Sequence, residues 1–202
     1  MTDAIAVPEP RRLIVGLTGA TGIVYGIRLL EALQATDVET HLVMTRAAAR
    51  TLAHEMDRTV DDVRALADVT WPVADIGAPI ASGSFRTMGM VVAPCSVRSM
   101  STIATGTTDN LLTRAADVVL KERRPLVLLV RETPLHAGHL ETMLKLARIG
   151  AVVMPPVPAF YTRPQSIGDI VDQTVGRALD AFDLDLGLFP RWAGTHVSRI
   201  TD

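Results

Sequence analysis

The stretch that most constrains the fold is Arg12–Leu17 (RLIVGL) and the turn after it, Thr18-Gly19-Ala20-Thr21-Gly22. A continuous apolar run breaks into a glycine-rich turn. It then feeds into residues spaced for a helix packed on a sheet: Ile23, Ile27, Leu29, Leu30 and Leu33. A strand buried on both faces, a turn and a helix form the repeating unit of an open parallel sheet, and such a turn can offer backbone N–H groups to a phosphate. Gly19 and Gly22 carry no Cβ and permit close backbone approach, while the hydroxyls of Thr18 and Thr21 add donors. The same residues equally describe a tight strand-to-helix turn that binds nothing.

The rest of the chain repeats this alternation. Strands are predicted at Glu39–Met44, Met88–Ala93, Leu126–Val130 and Ala151–Met154. Helices are predicted over 22–34, 46–56, 60–67, 99–105, 109–123, 139–148 and 167–182, with Thr59 and Ser166 as N-caps and Gly150 as a C-terminal stop. Residues 71–87, with Pro72, Pro79 and Ser82-Gly83-Ser84, read as a surface loop, a candidate lid or oligomer contact. The expected architecture is α/β, a single-domain doubly wound parallel sheet of Rossmann or flavodoxin type with helices on both faces. The domain runs over 12–192, between a disordered lead (1–11) and a C-terminal tail (193–202). An apolar fraction of 48% in 202 residues suits one such core.

Composition removes several classes of function. A net charge of −2 without a basic run argues against nucleic acid. No apolar stretch approaches the ~18 residues of a membrane span. The lone Cys95 excludes an internal disulfide and fits a cytoplasmic protein. His136 and His139 are spaced i, i+3 without a third good ligand, so no metal site is expected.

In a doubly wound sheet the ligand crevice lies beyond the carboxyl ends of the strands. Thr21, Thr45, Ser96 and Arg131 follow four different strands and should meet there. The second strand ends in Met44-Thr45-Arg46, without the acidic residue that would hold the ribose of NAD. That leaves room for FMN. Arg131 can grip a phosphate in a bidentate manner and Glu132 can move a proton; the alternative is a local ion pair at a helix entrance, and the position at a strand end favours the functional role. Arg114, Asp117 and Lys121 share one helix face and, by themselves, read as a solvated salt-bridge ladder. Phe160-Tyr161 walls a pocket or packs on the core.

Four motifs carry a resemblance that spans Arg12 to Trp192. They are GLTGATG near the start, PCS at 94–96, LTRAADVVLKERRPLVLLVRETPL at 112–135 and GAVVMPPVPAFYTRPQSI at 150–167. Together they resemble the flavin prenyltransferase (UbiX) family. The resemblance implies transfer of a dimethylallyl group from dimethylallyl phosphate to N5 and C6 of reduced FMN, without a metal. The prenylated FMN would serve a UbiD-type decarboxylase, as in ubiquinone biosynthesis. It implies that Gly19, Ala20, Thr21, Thr45, Ser96, Val97, Arg98, Ser99 and Arg131 hold FMN. Tyr161, Arg177, Lys121 and Arg114 would hold the prenyl donor, and Glu132, Lys121, Arg114, Glu55 and Trp192 would form the catalytic set. It also implies a homo-dodecamer with active sites where subunits meet, which turns the α-helical ladder of Arg114 and Lys121 into a phosphate clamp. The family usually carries Ser where this chain has Thr21, and its loop after PCS commonly differs from Val97-Arg98-Ser99. An FMN-dependent decarboxylase of the related cysteine-decarboxylase fold group would want a histidine at the flavin, and neither His41 nor His54 falls at a strand end. A non-catalytic flavin carrier is the third reading.

Overall fold

The computed structural model describes residues 11–194, so the predicted lead and tail fall almost wholly outside the described residues. Arg11 itself is tied in: its carbonyl accepts the Glu39 N–H at 2.8 Å.

Six parallel strands are β1 (Arg12–Leu17), β2 (Glu39–Met44), β3 (Val69–Trp71), β4 (Gly89–Cys95), β5 (Leu126–Val130) and β6 (Val152–Val153). Their order across the sheet is β3-β2-β1-β4-β5-β6. Among the described residues six α-helices lie between them, α1 (Ile23–Leu33), α2 (Arg46–Glu55), α3 (Val60–Arg64), α4 (Val97–Thr105), α5 (Leu111–Lys121) and α6 (Ala137–Arg148), and α7 (Ile167–Leu179) follows the last strand. The strand order reverses between β1 and β4, so the crevice between their carboxyl ends is the switch point of the fold.

Side chains alternate across the central strands, which explains the unbroken apolar runs. Leu13, Val15 and Leu17 of β1, with Val91 and Ala93 of β4, pack under α1 and α7. Ile14, Met90 and Val92 pack on the other face, under α4, α5 and α6. Gly16 allows that second layer to close, since a Cβ there would come within 3.1 Å of Met90 and Leu112.

Several predicted boundaries move. Strand β3 lies where no strand is expected, between the predicted helix that ends at residue 67 and the loop predicted from residue 71. It is three residues at the sheet edge, held by the Asp68 carboxylate, which accepts from both the N–H and the hydroxyl of Thr40. Residues 72–87 are not a lid. Ile80 and Ala78 are buried, the Val73 carbonyl accepts the Leu111 N–H, and Arg124 donates to the carbonyls of Gly83 and Phe85. The helix after β4 begins at Val97 rather than Ser99, and the last long helix ends at Leu179, with a 3₁₀ turn continuing to Phe182.

Candidate active site

The carboxyl edge is assembled by hydrogen bonds between strand ends. Thr18, at the end of β1, is 1% exposed; its hydroxyl donates to the Pro94 carbonyl at 2.6 Å and accepts the Ser96 N–H at 2.8 Å. The hydroxyl expected as a ligand donor therefore ties β1 to β4 across the switch point. Thr45 joins the end of β2 to that of β1 through its N–H on the Leu17 carbonyl, while its side chain caps α2 by accepting from the Ala48 N–H. Ser96 caps α4 in the same way, accepting from the Ser99 N–H. Arg131, directly after β5, donates its N–H to the Cys95 carbonyl. Thr21, Thr45, Ser96 and Arg131 thus follow neighbouring strands along one edge.

The glycine-rich turn is partly occupied by the protein itself. Gly22 adopts a left-handed conformation (φ 91°) and begins α1 without a side-chain cap of its own. The N–H groups of Gly22 and Ile23 donate instead to the Glu55 carboxylate, at 2.9 and 3.0 Å. Glu55 is exposed in the last turn of α2, and it places its charge on the positive pole of α1. Gly19 packs against the start of α2, where a Cβ would stand 2.4 Å from that of Ala47. With the first donors of α1 engaged, the other helices that begin at this edge are α2 and α4, capped by Thr45 and Ser96, and Arg131 follows β5 along the same edge. These donors and that cation suit the phosphate and polar ring edge of FMN. Tyr25, which sequence reasoning passed over, stands beside them: burial pushes its phenol pKa up and the Arg131 charge draws it partly back.

The other predicted residues form two separate groups. Tyr161, Gln173, Arg177, Phe189, Arg191 and Trp192 line a hollow of about 450 Å³ along α7. The rings of Tyr161 and Trp192 meet edge to face at 5.5 Å, and Arg177 reaches in from the last turn of α7. Arg114 and Lys121 lie on α5, which runs toward the amino ends of the strands. Arg114 donates to Asp117 at 2.9 Å and to the Ala81 carbonyl, and Lys121 pairs with Glu122. In one chain the predicted ladder is half formed: Arg114 takes Asp117, whereas Lys121 takes its neighbour Glu122 instead. Glu132 is exposed beyond β5 and accepts the Thr133 N–H at 3.0 Å, so within one chain it is not desolvated. The Arg98 side chain extends outward to Asp109, at 4.0 Å. Val97 and Ser99 contribute the first turn of α4.

Cys95 is fully buried and its thiol is pushed up to about 12 by that burial, which fits a packing residue rather than a nucleophile. Sequence reasoning missed Phe189 and Arg191, whose one signal was their nearness to Trp192. It also missed Trp71, which lines a cavity of about 470 Å³ with Thr45 and Arg46 at the ends of β2 and β3. No three His, Cys, Asp or Glu side chains gather as a metal-ligand set among the described residues, and no helix among them is long and apolar enough to cross a membrane.

Comparison with known proteins agrees with this geometry. Residues 7–179 match the family model described as Flavoprotein. The chain is 61% identical over 187 residues to the flavin prenyltransferase UbiX of Escherichia coli K12, covering 91% of this chain and 99% of that one. Its fold superposes with a TM-score of 0.91 on AnUbiX (PadA1), solved in complex with FMN and dimethylallyl pyrophosphate, at 53% identity and covering 93% and 100% of the two chains. It superposes with a TM-score of 0.87 on a dodecameric FMN-dependent Ubix-like decarboxylase from Escherichia coli O157:H7, at 51% identity and covering 91% and 100%. With the β1–turn–α1 unit and the donor-rich switch point on which they fall, these likenesses over nearly the whole chain lead to one assignment: this chain belongs to the Flavoprotein family and, within it, to the flavin prenyltransferases of the UbiX type.

Proposed function

We propose that this enzyme joins the dimethylallyl group of dimethylallyl phosphate to N5 and C6 of reduced FMN, and that the product serves a UbiD-type decarboxylase. The observation that carries the reading is the hollow on α7, where the Arg177 and Arg191 guanidiniums stand with the rings of Tyr161, Phe189 and Trp192. A phosphate ester of a five-carbon allyl group asks for that combination. Arg177 would hold the phosphate and stabilise the charge it gains as the carbon–oxygen bond breaks, with the phosphate keeping the electron pair. The faces of Tyr161 and Trp192 would favour the delocalised allylic cation and exclude water from it. Reduced FMN, when bound, supplies the nucleophilic ring positions. Gly19, Ala20, Thr21, Thr45, Ser96 to Ser99 and Arg131 would hold it at the switch point, and the Glu132 carboxylate would take up the proton released.

The carboxyl edge, the α5 cations Arg114 and Lys121, and the α7 hollow lie apart within one chain, so the complete site needs further copies. Glu132 then acquires the buried, cationic surroundings it lacks alone. Helix α6 supports such an assembly: Leu140 and Leu144 are exposed on it and its buried side chain is Leu146 alone, while Leu135 and Ile149 are exposed at its two ends. We take the assembly to be a homo-dodecamer working in the cytoplasm.

The test is anaerobic. The protein is mixed with reduced FMN and dimethylallyl phosphate without added metal, and the flavin is analysed by mass spectrometry. A flavin heavier by one C5H8 unit is expected; unchanged flavin on a protein that has bound FMN would overturn the reading.

A further inference from the structure

Helix α7 ends at Leu179, and the next residue is Asp180. A carboxylate at the negative pole of a helix is unfavourable on local grounds. Asp180 is compensated by two guanidiniums. Arg177 Nη1 donates to its Oδ2 at 2.7 Å, and Arg191 donates to Oδ1 at 2.6 Å and to Oδ2 at 3.3 Å. Arg191 also donates through Nε to Asp185 at 2.9 Å, and its paired carboxylates push its pKa up. The segment from Leu184 to Trp192 therefore lies as a strap along α7. Its second fixing point is steric: a Cβ on Gly176, inside α7, would stand 2.6 Å from the Phe189 ring. A glycine within a helix weakens it, and here it makes room for the strap.

We propose that Asp180 is a positioning residue of the prenyl-donor site, orienting the Arg177 guanidinium and seating Trp192 with one carboxylate. This rests on reading the α7 hollow as that site. Asp180 engages Nη1 of Arg177, which leaves the Nε and Nη2 edge for a phosphate. Through Arg191 the same carboxylate fixes the residue next to Trp192, whose ring closes on Tyr161. A phosphate ester thus meets a cation and an aromatic wall that are already ordered, and little side-chain freedom remains to be lost on binding. The two arginines and two aspartates sum to zero charge, so the hollow is not a general anion sink.

The test uses Asp180→Asn in the full-length assembled enzyme, with Trp71→Phe as background so that Trp192 is the one indole of a chain with two tryptophans. Expected are a KM for dimethylallyl phosphate raised about tenfold, a red-shifted and more readily quenched Trp192 emission, and an unchanged Kd for FMN, whose crevice Asp180 does not line. Arg191→Gln should move the emission in the same way, and it decides the strap if Asp180→Asn does not fold. An unchanged KM and emission in Asp180→Asn, or an unchanged emission in Arg191→Gln, overturns the proposal. Arg177→Ala separates it from the reading beneath: a raised KM there beside an inert Asp180→Asn sinks the positioning role alone, whereas an unchanged KM there removes the site reading and the proposal with it.

Discussion

Replacing Thr18 with Val tests whether the switch point is held by one side chain. Val has the same shape, so packing under α1 is kept while the hydroxyl is lost. Two partners are then stranded: the Pro94 carbonyl, which received that hydroxyl at 2.6 Å, and the Ser96 N–H, which gave to it at 2.8 Å. Pro94 is buried and Ser96 half-buried, so water can replace part of the second interaction and little of the first. An unpaired buried polar group costs ~1–3 kcal/mol, which sets the expected loss at about 2–4 kcal/mol. For a chain of this size that corresponds to a fall in Tm of about 5–12 °C. Thr18→Ser, which keeps both hydrogen bonds and loses a methyl, should cost only about 1 kcal/mol. Urea denaturation at fixed protein concentration measures both, since assembly makes apparent stability concentration-dependent. FMN affinity should fall about tenfold in Thr18→Val alone, because the loop that starts α4 loses its anchor. A Thr18→Val protein as stable as Thr18→Ser would refute the reasoning.

Two further outcomes follow from the same geometry. In Gly26→Ala the new Cβ would stand 2.1 Å from the Ala93 carbonyl oxygen and 2.2 Å from Leu17 Cδ2, so α1 must lift off the sheet; a loss of ~3 kcal/mol in chemical denaturation is expected, and a loss under ~1 kcal/mol would contradict the close approach. His41 is 2% exposed, accepts the Trp71 indole N–H on Nδ1 and shares its Nε2 proton with Glu39; Arg12 and Asp68 also act on it, and burial lowers its pKa below 6.5. The unfolded chain therefore binds the proton first as pH falls. Stability should be level between about pH 7 and 8, below the range in which the Cys95 thiol ionises in the unfolded chain, and decline as pH falls through about 6.5, ahead of the range in which Asp62, Asp68 and Asp169 titrate; equal slopes on the acid side in wild type and His41→Phe would refute this.

What could be read in the sequence was what local chemistry decides. The RLIVGL run, the LVLLV run of β5 and the glycine-rich turn define strands and a crossing direction without help from distant residues. Thr59 and Ser166 announce their helices because a capping box closes within four residues, with Asp62 and Asp169 as the reciprocal partners. Strand β3 was invisible for the opposite reason: Val69-Thr70-Trp71 is too short for a period, and its place is set by Asp68 gripping Thr40, 28 residues earlier. Thr18 was misread because its partners lie 76 and 78 positions away. Glu55 was placed at the site by likeness, while its bond to the start of α1 is a tertiary fact that no spacing encodes.

The three-part site follows from how a doubly wound fold apportions its helices. Each helix returns antiparallel to the strands, so residues near its C-terminus are carried toward the amino edge, away from the crevice. Arg177 and Lys121 sit in the last turns of α7 and α5. Arg131 and Glu132, directly after β5, sit at the opposite edge. A rise of ~1.5 Å per residue puts the end of the 13-residue α7 roughly 20 Å from its start. No rearrangement of one chain that keeps the core closes that gap, whereas a neighbouring copy can present its own helix ends to the crevice. Positive charge at helix C-termini is favourable in the isolated chain as well, so Arg177 and Lys121 stabilise their own helices whatever else they bind. The same two cations are restrained by Asp180 and Glu122. On the proposed reading, docking would need only to redirect charges that are already ordered, so a fold this regular could build its catalytic centre between chains rather than within one.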